Sequence, residues 1–250
     1  MINKILKELL LYFIKTNESN YYAGRTKLLS NEYVLDLAFF ILKSGSQWNN
    51  LTVDGGAWKT VYNRYRMWVN NNIFKQAYTF ILKAYSTINN VKYYATDTTL
   101  VKSILGNDIV GKNPTDRGRN GSKISVIVDD LGIPWSIQLH EANRNDCILL
   151  DRVLEKPFVP FIKNKNMYGD KGYDSTTCRE QTTECGLNPI IAKRGKVSPK
   201  EYEKSRYIVE NSFSWLKQYK RVRVRDDIKA KYYLSWVFFA YGNILLNKFE

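Results

Sequence analysis

Histidine is nearly absent from this sequence: His140 is the only one in 250 residues. That excludes a zinc protease helix, a two-histidine metal centre, and any other site that needs histidine twice. A serine hydrolase triad would have to use His140, and no Gly-x-Ser-x-Gly elbow accompanies it, so His140 reads as a structural or surface residue. Cysteine is scarce as well. Cys147, Cys178 and Cys185 contain no Cys-x-x-Cys pair, and their odd number argues against a disulfide framework and for a reducing compartment. Long hydrophobic runs are missing. The most apolar stretch, Tyr232 to Leu246, is interrupted by Ser235, Gly242 and Asn243 and falls short of the roughly 18 to 20 residues that span a bilayer; it reads as a buried helix. The opening stretch is broken by Lys7 and Glu8 and lacks a small-residue cleavage site, so it does not read as a secretion signal.

Acidic residues are outnumbered, 24 against 38 Lys and Arg, for a net charge of +14. With 44% apolar and 14% aromatic residues the chain can fill a real core, so the charge belongs to a folded protein and not to a disordered basic tail. A folded polycation favours a polyanionic partner, because phosphates bind Lys and Arg with release of condensed counterions. Nucleic acid is the first expectation and a membrane surface the second. With one histidine, the chemistry has to run mainly on carboxylates.

The chain divides into two patterns. Residues 1–88 read as a helical region, starting with Ile2, Ile5, Leu6, Leu9 and Phe13 at helical spacing. Ser30 is a candidate cap for a helix whose apolar face carries Val34, Leu35, Ala38, Phe39 and Leu42, and Gly45 is its stop. The segment Trp58 to Trp68 alternates aromatic with basic and amide residues, presenting Thr60, Asn63, Arg64 and Arg66. Two readings stay open: a helix-turn-helix that enters a DNA groove, or a helical bundle with a solvated basic face. From residue 89 to 250 the pattern changes. Val91 to Thr98, Lys123 to Asp129 and Pro134 to Leu139 read as strands, with Asp130 to Ile133 as a tight hairpin turn. A helix over Asp146 to Leu154, a strand ending near Asp170, a helix from Thr176 to Cys185, a strand from Asn188 to Ala192 and a long helix from about Pro199 to Tyr219 complete the pattern. This order describes an α/β fold, a mixed sheet flanked by helices.

Three carboxylates stand out. Asp97 ends a strand among neutral residues, and Asp170 ends another with Gly169 and Gly172 nearby. Each is open to the plainer reading of a turn aspartate. Glu210 lies inside the long helix. At about 100° per residue, Glu203, Arg206 and Lys217 fall within about 40° of it, while Val209, Phe213 and Leu216 start the apolar face directly beside that stripe. Glu210 is thus placed at the edge of the core, where it can point into a cleft or simply pair with Arg206 four residues back. Two strand-end aspartates and a helical glutamate suit a pair of divalent cations, since hard Mg²⁺ or Mn²⁺ takes oxygen ligands. Two such ions can activate an attacking hydroxyl and stabilise the leaving 3′-oxygen of a phosphodiester. The loop holding Arg117, Arg119 and Lys123 lacks the order of a phosphate-binding loop and reads as a basic hairpin near DNA. The run from Lys217 to Lys231, with Lys220 and Arg221, reads as a further backbone contact, with a solvated helix end as the plainer alternative.

At these residues the sequence resembles the DDE transposases of the bacterial insertion-sequence type, nearest the insertion-sequence-five group. The resemblance is carried in order by Gly45 to Trp48 with Trp58 to Tyr65, then Asn113 to Lys123, Glu141 to Asp146, Gly169 to Ser175, and the spacing Arg206, Glu210, Lys217. It implies a ribonuclease H-like catalytic core over 89–250 behind a helical N-terminal DNA-binding region. It also implies Asp97, Asp170 and Glu210 as a triad for two Mg²⁺ or Mn²⁺ ions, with Lys171, Arg206 and Lys217 among the DNA contacts. The activity implied is metal-dependent cleavage at terminal inverted repeats and joining of 3′-hydroxyl ends to target DNA, by a homo-oligomer on double-stranded DNA, away from membranes and inside the cell. One departure exists. Where the family has a tyrosine three residues before the arginine, this chain has Glu203, with Tyr202 one step earlier. That motivates the alternative of an inactive, domesticated DNA-binding protein. A tyrosine or serine recombinase is disfavoured, because no cluster of Arg with His surrounds a nucleophile.

Overall fold

The computed structural model describes residues 1–17, 29–196 and 200–249. Pro199, the expected start of the long helix, lies outside the described residues. The chain forms two compact units, one of residues 1–81, 216–223 and 229–250, the other of residues 82–215 and 224–228. The expected division at residue 88 treated everything beyond it as one domain, whereas the chain after Trp215 contributes to both units.

The first unit is helical: α1 (Lys4–Asn17), α2 (Asn31–Ser44), α3 (Trp58–Asn70), the larger part of α4 (Ile73–Ile88), the short α8 (Lys220–Arg223) and α9 (Ala230–Lys248). Ser30 caps α2 by accepting the Tyr33 N–H at 3.0 Å, and Gly45 ends it with φ 71° while donating its N–H to Ile41 O. A Cβ at Gly45 would stand 3.0 Å from the Lys220 side chain, a second reason for glycine there. The helix α9 is apolar on every side, and no helix among the described residues is long and apolar enough to cross a membrane. Its aromatics explain where it goes. Trp236 stacks on Tyr65 with ring centres 4.2 Å apart, and Phe239 packs on Phe74 at 5.0 Å and Phe39 at 5.4 Å. Such side chains bury 150 to 250 Å² each, so α9 closes the core of the N-terminal helices. The segment between α2 and α3, residues 45–57, is much longer than the tight turn of a helix-turn-helix. Instead it carries a 3-10 turn at Trp48–Asn50, and Trp48 packs on Tyr62 and Tyr65 at 5.2 Å.

The second unit is built on a seven-stranded mixed sheet. Its strands are β1 (Tyr93–Ser103), β2 (Gly111–Lys112), β3 (Asn120–Asp129), β4 (Pro134–Glu141), β5 (Asn166–Gly169), β6 (Asn188–Ile191) and β7 (Val224–Arg225). β3 pairs antiparallel with both β1 and β4, while β1, β5 and β6 run parallel. The parallel crossovers need helices: α5 (Asp146–Glu155) precedes β5, α6 (Thr176–Glu184) links β5 to β6, and α7 (Lys200–Leu216) follows β6. The β3–β4 turn is held by Asp129, which is fully buried and accepts hydrogen bonds from Leu131 N, Ile133 N, Trp135 Nε1 and Tyr85 Oη. His140 is buried on β4 with Nε2 2.7 Å from Ser125 Oγ, and burial lowers its pKa to about 4, so it is neutral. The basic run after Lys217 is not one element. Arg225 is fully buried on β7, bonding Ser122 Oγ at 3.0 Å and pairing with Asp108.

Candidate active site

Parallel pairing of β1 and β5 sets the site. The register runs through Ala95 opposite Tyr168, and two residues further on both chains the same register sets Asp97 beside Asp170. Asp170 follows the last residue of β5, at the carboxyl end where open α/β folds gather their functional groups. Asp97 instead lies inside β1, which pairs on with β3 to Lys102 and ends only at Ser103, so the strand end expected at Asp97 is corrected. Asp170 starts a 3-10 turn, Lys171–Tyr173, and its Oδ1 accepts the Gly172 N–H at 2.7 Å. A Cβ at position 172 would lie 2.8 Å from Asp170 Oδ1, so any side chain there would displace that carboxylate. Asp97 Oδ1 accepts the Thr98 N–H at 2.7 Å.

The helix α7 walls an open cleft lined by Asp97, Asp170, Tyr202, Ser205, Arg206 and Val209 among others. Burial raises the Asp97 carboxyl to about 6, helped by the neighbouring Asp170 and Asp146 carboxylates and opposed by the Thr98 N–H and Arg206. The Tyr173 hydroxyl is pushed up for the same reasons, by burial first and then by Asp97 and Asp146. Tyr202 is pushed up to about 12, by burial and then by Asp170. The cleft thus gathers negative charge where β5 ends beside the middle of β1.

Of the three expected carboxylates, the structure brings Asp97 and Asp170 together and leaves Glu210 apart. Glu210 does not line the cleft; its side chain is 53% exposed and its Oε1 accepts from Arg206 Nε at 2.8 Å. Among the described residues no three His, Cys, Asp or Glu side chains are gathered closely enough to hold a metal ion. Two carboxylates are nonetheless the usual protein share of a Mg²⁺ site, which keeps waters and substrate phosphates as its other ligands, and the uncompensated Asp97 and Asp170 fit a hard divalent cation. Glu203 is exposed and outside the cleft, whereas Tyr202 is buried and lines it. Tyr202 was not among the expected site residues. Its signal was the helical stripe: four residues before Arg206, it falls at the apolar edge where α7 meets the sheet.

The expected DNA contacts fall into two groups. Arg66, Arg117, Arg119, Lys171, Arg206, Lys217 and Lys220 are exposed, with Lys217 one residue beyond the end of α7. The others have work inside the protein. Arg64 is half-buried and donates to Leu29 O at 2.6 Å. Lys123 is buried, with Nζ 2.8 Å from Asp146 Oδ1. Arg221 is 4% exposed, its guanidinium 5.9 Å from the centre of the Trp236 ring. A buried cation with partners has no free face for a phosphate, so the sequence expectation for these three gives way to packing roles.

The family described as Transposase DDE domain matches residues 95–242, more than half of the chain, and that described as Putative transposase of IS4/5 family matches residues 6–78. The chain belongs to the transposase DDE domain family. The curated putative transposase for insertion sequence element IS402 of Burkholderia cepacia is 34% identical over 132 residues, which is 50% of this chain and 63% of that protein. The match therefore spans less than two thirds of that relative's length. The cryo-EM structure of the piggyBac transposase synaptic complex with hairpin DNA is 10% identical, covers 99% of this chain and 73% of that one, and has a TM-score of 0.55, a likeness of fold. The Mos1 mariner paired end complex with Mn covers 96% of this chain at 13% identity, and its TM-score of 0.36 is too low to argue from. The fold of this member of the family is ribonuclease H-like, as expected, with a mixed sheet flanked by helices.

Proposed function

We propose that the chain is a metal-dependent DNA transposase that cleaves element ends at terminal inverted repeats and joins the 3′-hydroxyl ends to target DNA. The observation that carries this reading is the placement of Asp97, inside β1, beside Asp170, just past the end of β5, in a cleft lined by residues of α7. Asp97 and Asp170 would hold divalent metal, Mg²⁺ or Mn²⁺, with Glu210 joining them when it leaves Arg206. Bound metal supplies charge stabilisation to the attacking and leaving oxygens of a phosphodiester. The chain's own part is to bind and orient. Asp97, held by the Thr98 N–H, and Asp170, held by the Gly172 N–H, fix two carboxylates before DNA arrives. Arg206 reaches the cleft with its guanidinium exposed, suited to a phosphate. The exposed Lys171, Arg117 and Arg119 of the second unit offer cations to the backbone of double-stranded DNA, and the exposed Arg66 offers one on the first unit. Two ions, a homo-oligomer on DNA and an intracellular setting belong to the same reading. The inactive alternative rested on Glu203, which stands outside the cleft while Tyr202 lines it.

The test is nicking of supercoiled plasmid by the purified chain in Mg²⁺ or Mn²⁺, with salt-sensitive DNA binding measured alongside. Asp97→Asn, Asp170→Asn and Glu210→Gln are each expected to lower the rate by about 10³-fold, about 4 kcal/mol of barrier, with DNA binding retained. Full nicking by any one variant removes that residue from the triad, and binding without nicking by the unaltered chain returns the inactive alternative.

A further inference from the structure

A buried lysine lies one connection away from the proposed metal site. Lys123 stands on β3 with 8% of its surface exposed, where an unpaired ammonium would be strongly disfavoured. Its Nζ donates to Asp146 Oδ1 at 2.8 Å and to Arg144 O at 2.7 Å. The same Asp146 oxygen accepts the Thr98 hydroxyl at 3.0 Å, and the Thr98 N–H is the group that holds Asp97 Oδ1 at 2.7 Å. The four residues form one continuous chain of hydrogen bonds, Lys123 to Asp146 to Thr98 to Asp97. They come from three elements: β1 supplies Asp97 and Thr98, β3 supplies Lys123, and the first turn of α5 supplies Asp146.

We infer that Asp146, clamped by Lys123, is a positioning residue for Asp97 and acts through Thr98. β-strand geometry sends Thr98 and Asp97 to opposite faces of the sheet, so the α5 face can set the residue that holds the α7 face. With its hydroxyl tied to Asp146 and its backbone in register opposite Ser125, Thr98 presents its N–H in one direction. That occupies one oxygen of Asp97 and leaves the other for a ligand. The Oδ1 of Asp146 is already taken by the Lys123 ammonium and the Thr98 hydroxyl, so its part is to hold Thr98 and not the metal. As a stability device alone the pair gains little, since a buried ion pair roughly breaks even with apolar packing. Groups that orient a ligand are worth about 10- to 100-fold in metal affinity.

The inference rests on the proposed reading of Asp97 as a metal holder, and direct titration separates the two. Mn²⁺ alone is titrated into the full chain, followed by the signal of free Mn²⁺ in electron paramagnetic resonance, for the unaltered protein and for Asp97→Asn, Asp146→Asn and Thr98→Val. Thermal midpoints of the metal-free proteins are measured in parallel. Asp97→Asn is expected to abolish binding. Asp146→Asn and Thr98→Val are expected to weaken it about tenfold. Thr98→Val, which deletes one hydroxyl and no charge, is expected to do so with its thermal midpoint nearly unchanged, and Asp146→Glu to recover part of the affinity. Unchanged Mn²⁺ affinity in Thr98→Val and Asp146→Asn, with binding lost in Asp97→Asn, overturns the positioning role and leaves the metal reading intact. No Mn²⁺ binding by the unaltered chain overturns both.

Discussion

Asp129 and Asp97 are carboxylates on neighbouring strands of one sheet, the first fully buried and the second half-buried, and they differ in what meets them. Asp129 receives two backbone N–H groups, the Trp135 indole and the Tyr85 hydroxyl. Asp97 accepts one hydrogen bond, from Thr98, and faces the Asp170 carboxylate. Burial raises the pKa of both, but at Asp129 four donors oppose the rise, whereas at Asp97 like charge adds to it. A carboxylate that serves the fold is saturated by the fold. One left short of donors, beside another of its kind, is what the proposed metal reading of Asp97 and Asp170 rests on.

Removing the saturated carboxylate is the largest test of this contrast. Asp129→Ala orphans four donors and is expected to lower unfolding free energy by about 3 to 5 kcal/mol, read as a lower denaturant midpoint. Tyr85→Phe takes away only one of those donors, a hydrogen bond to a charged group, and should remove about 1.5 to 3 kcal/mol. Asp97→Asn should act in the opposite direction. The folded state holds a proton on Asp97 up to about pH 6, against 3.8 for the ordinary group, so between these values the folded state binds more protons than the unfolded. Stability of the metal-free protein therefore falls as pH rises from about 4 to 6, and the penalty is complete above 6. Asp97→Asn is expected to raise metal-free stability by about 1 to 3 kcal/mol above pH 6 and to leave it unchanged below pH 4, checked by thermal melts in chelator across that range. An Asp97→Asn protein that is less stable at pH 7 erases the distinction between the two aspartates. The smallest effect belongs to Arg206→Gln. Its pair with Glu210 is exposed on both sides, so stability should change by less than about 1 kcal/mol, while DNA cleavage, on the proposed reading, falls far more.

Much of the second unit was legible in the chain. Short strands with apolar faces, a hairpin turn at Asp130 to Ile133, and capped helices before and after Asp170 gave β3, β4, α5, β5, α6 and β6 close to their observed limits. Asp170 was legible as a strand-end carboxylate, whereas Asp97, expected at a strand end, lies inside β1, because pairing with β3 carries that strand on to Ser103. The two-residue strands β2 and β7 were not, because so short a strand has no periodicity of its own and exists only by pairing with a neighbour. The α7 stripe correctly joined Glu210 to Arg206, yet helical angles cannot say which edge of a stripe meets the sheet. Tyr202 took the inner position and Glu210 the outer one.

The sequence by itself determined the class of fold and the cationic character, because composition and local periodicity are properties of the chain alone. Tertiary structure decided the use of each charge. Lys123, Arg221 and Arg225 look like any other cations in a basic run, and burial with a partner turned them from surface groups into packing and positioning groups. It also decided where α9 goes. Its apolar surface runs all the way round, which in the sequence signals only that it is buried. The matching aromatics of α2, α3 and α4 make the N-terminal helices the place where that surface is covered.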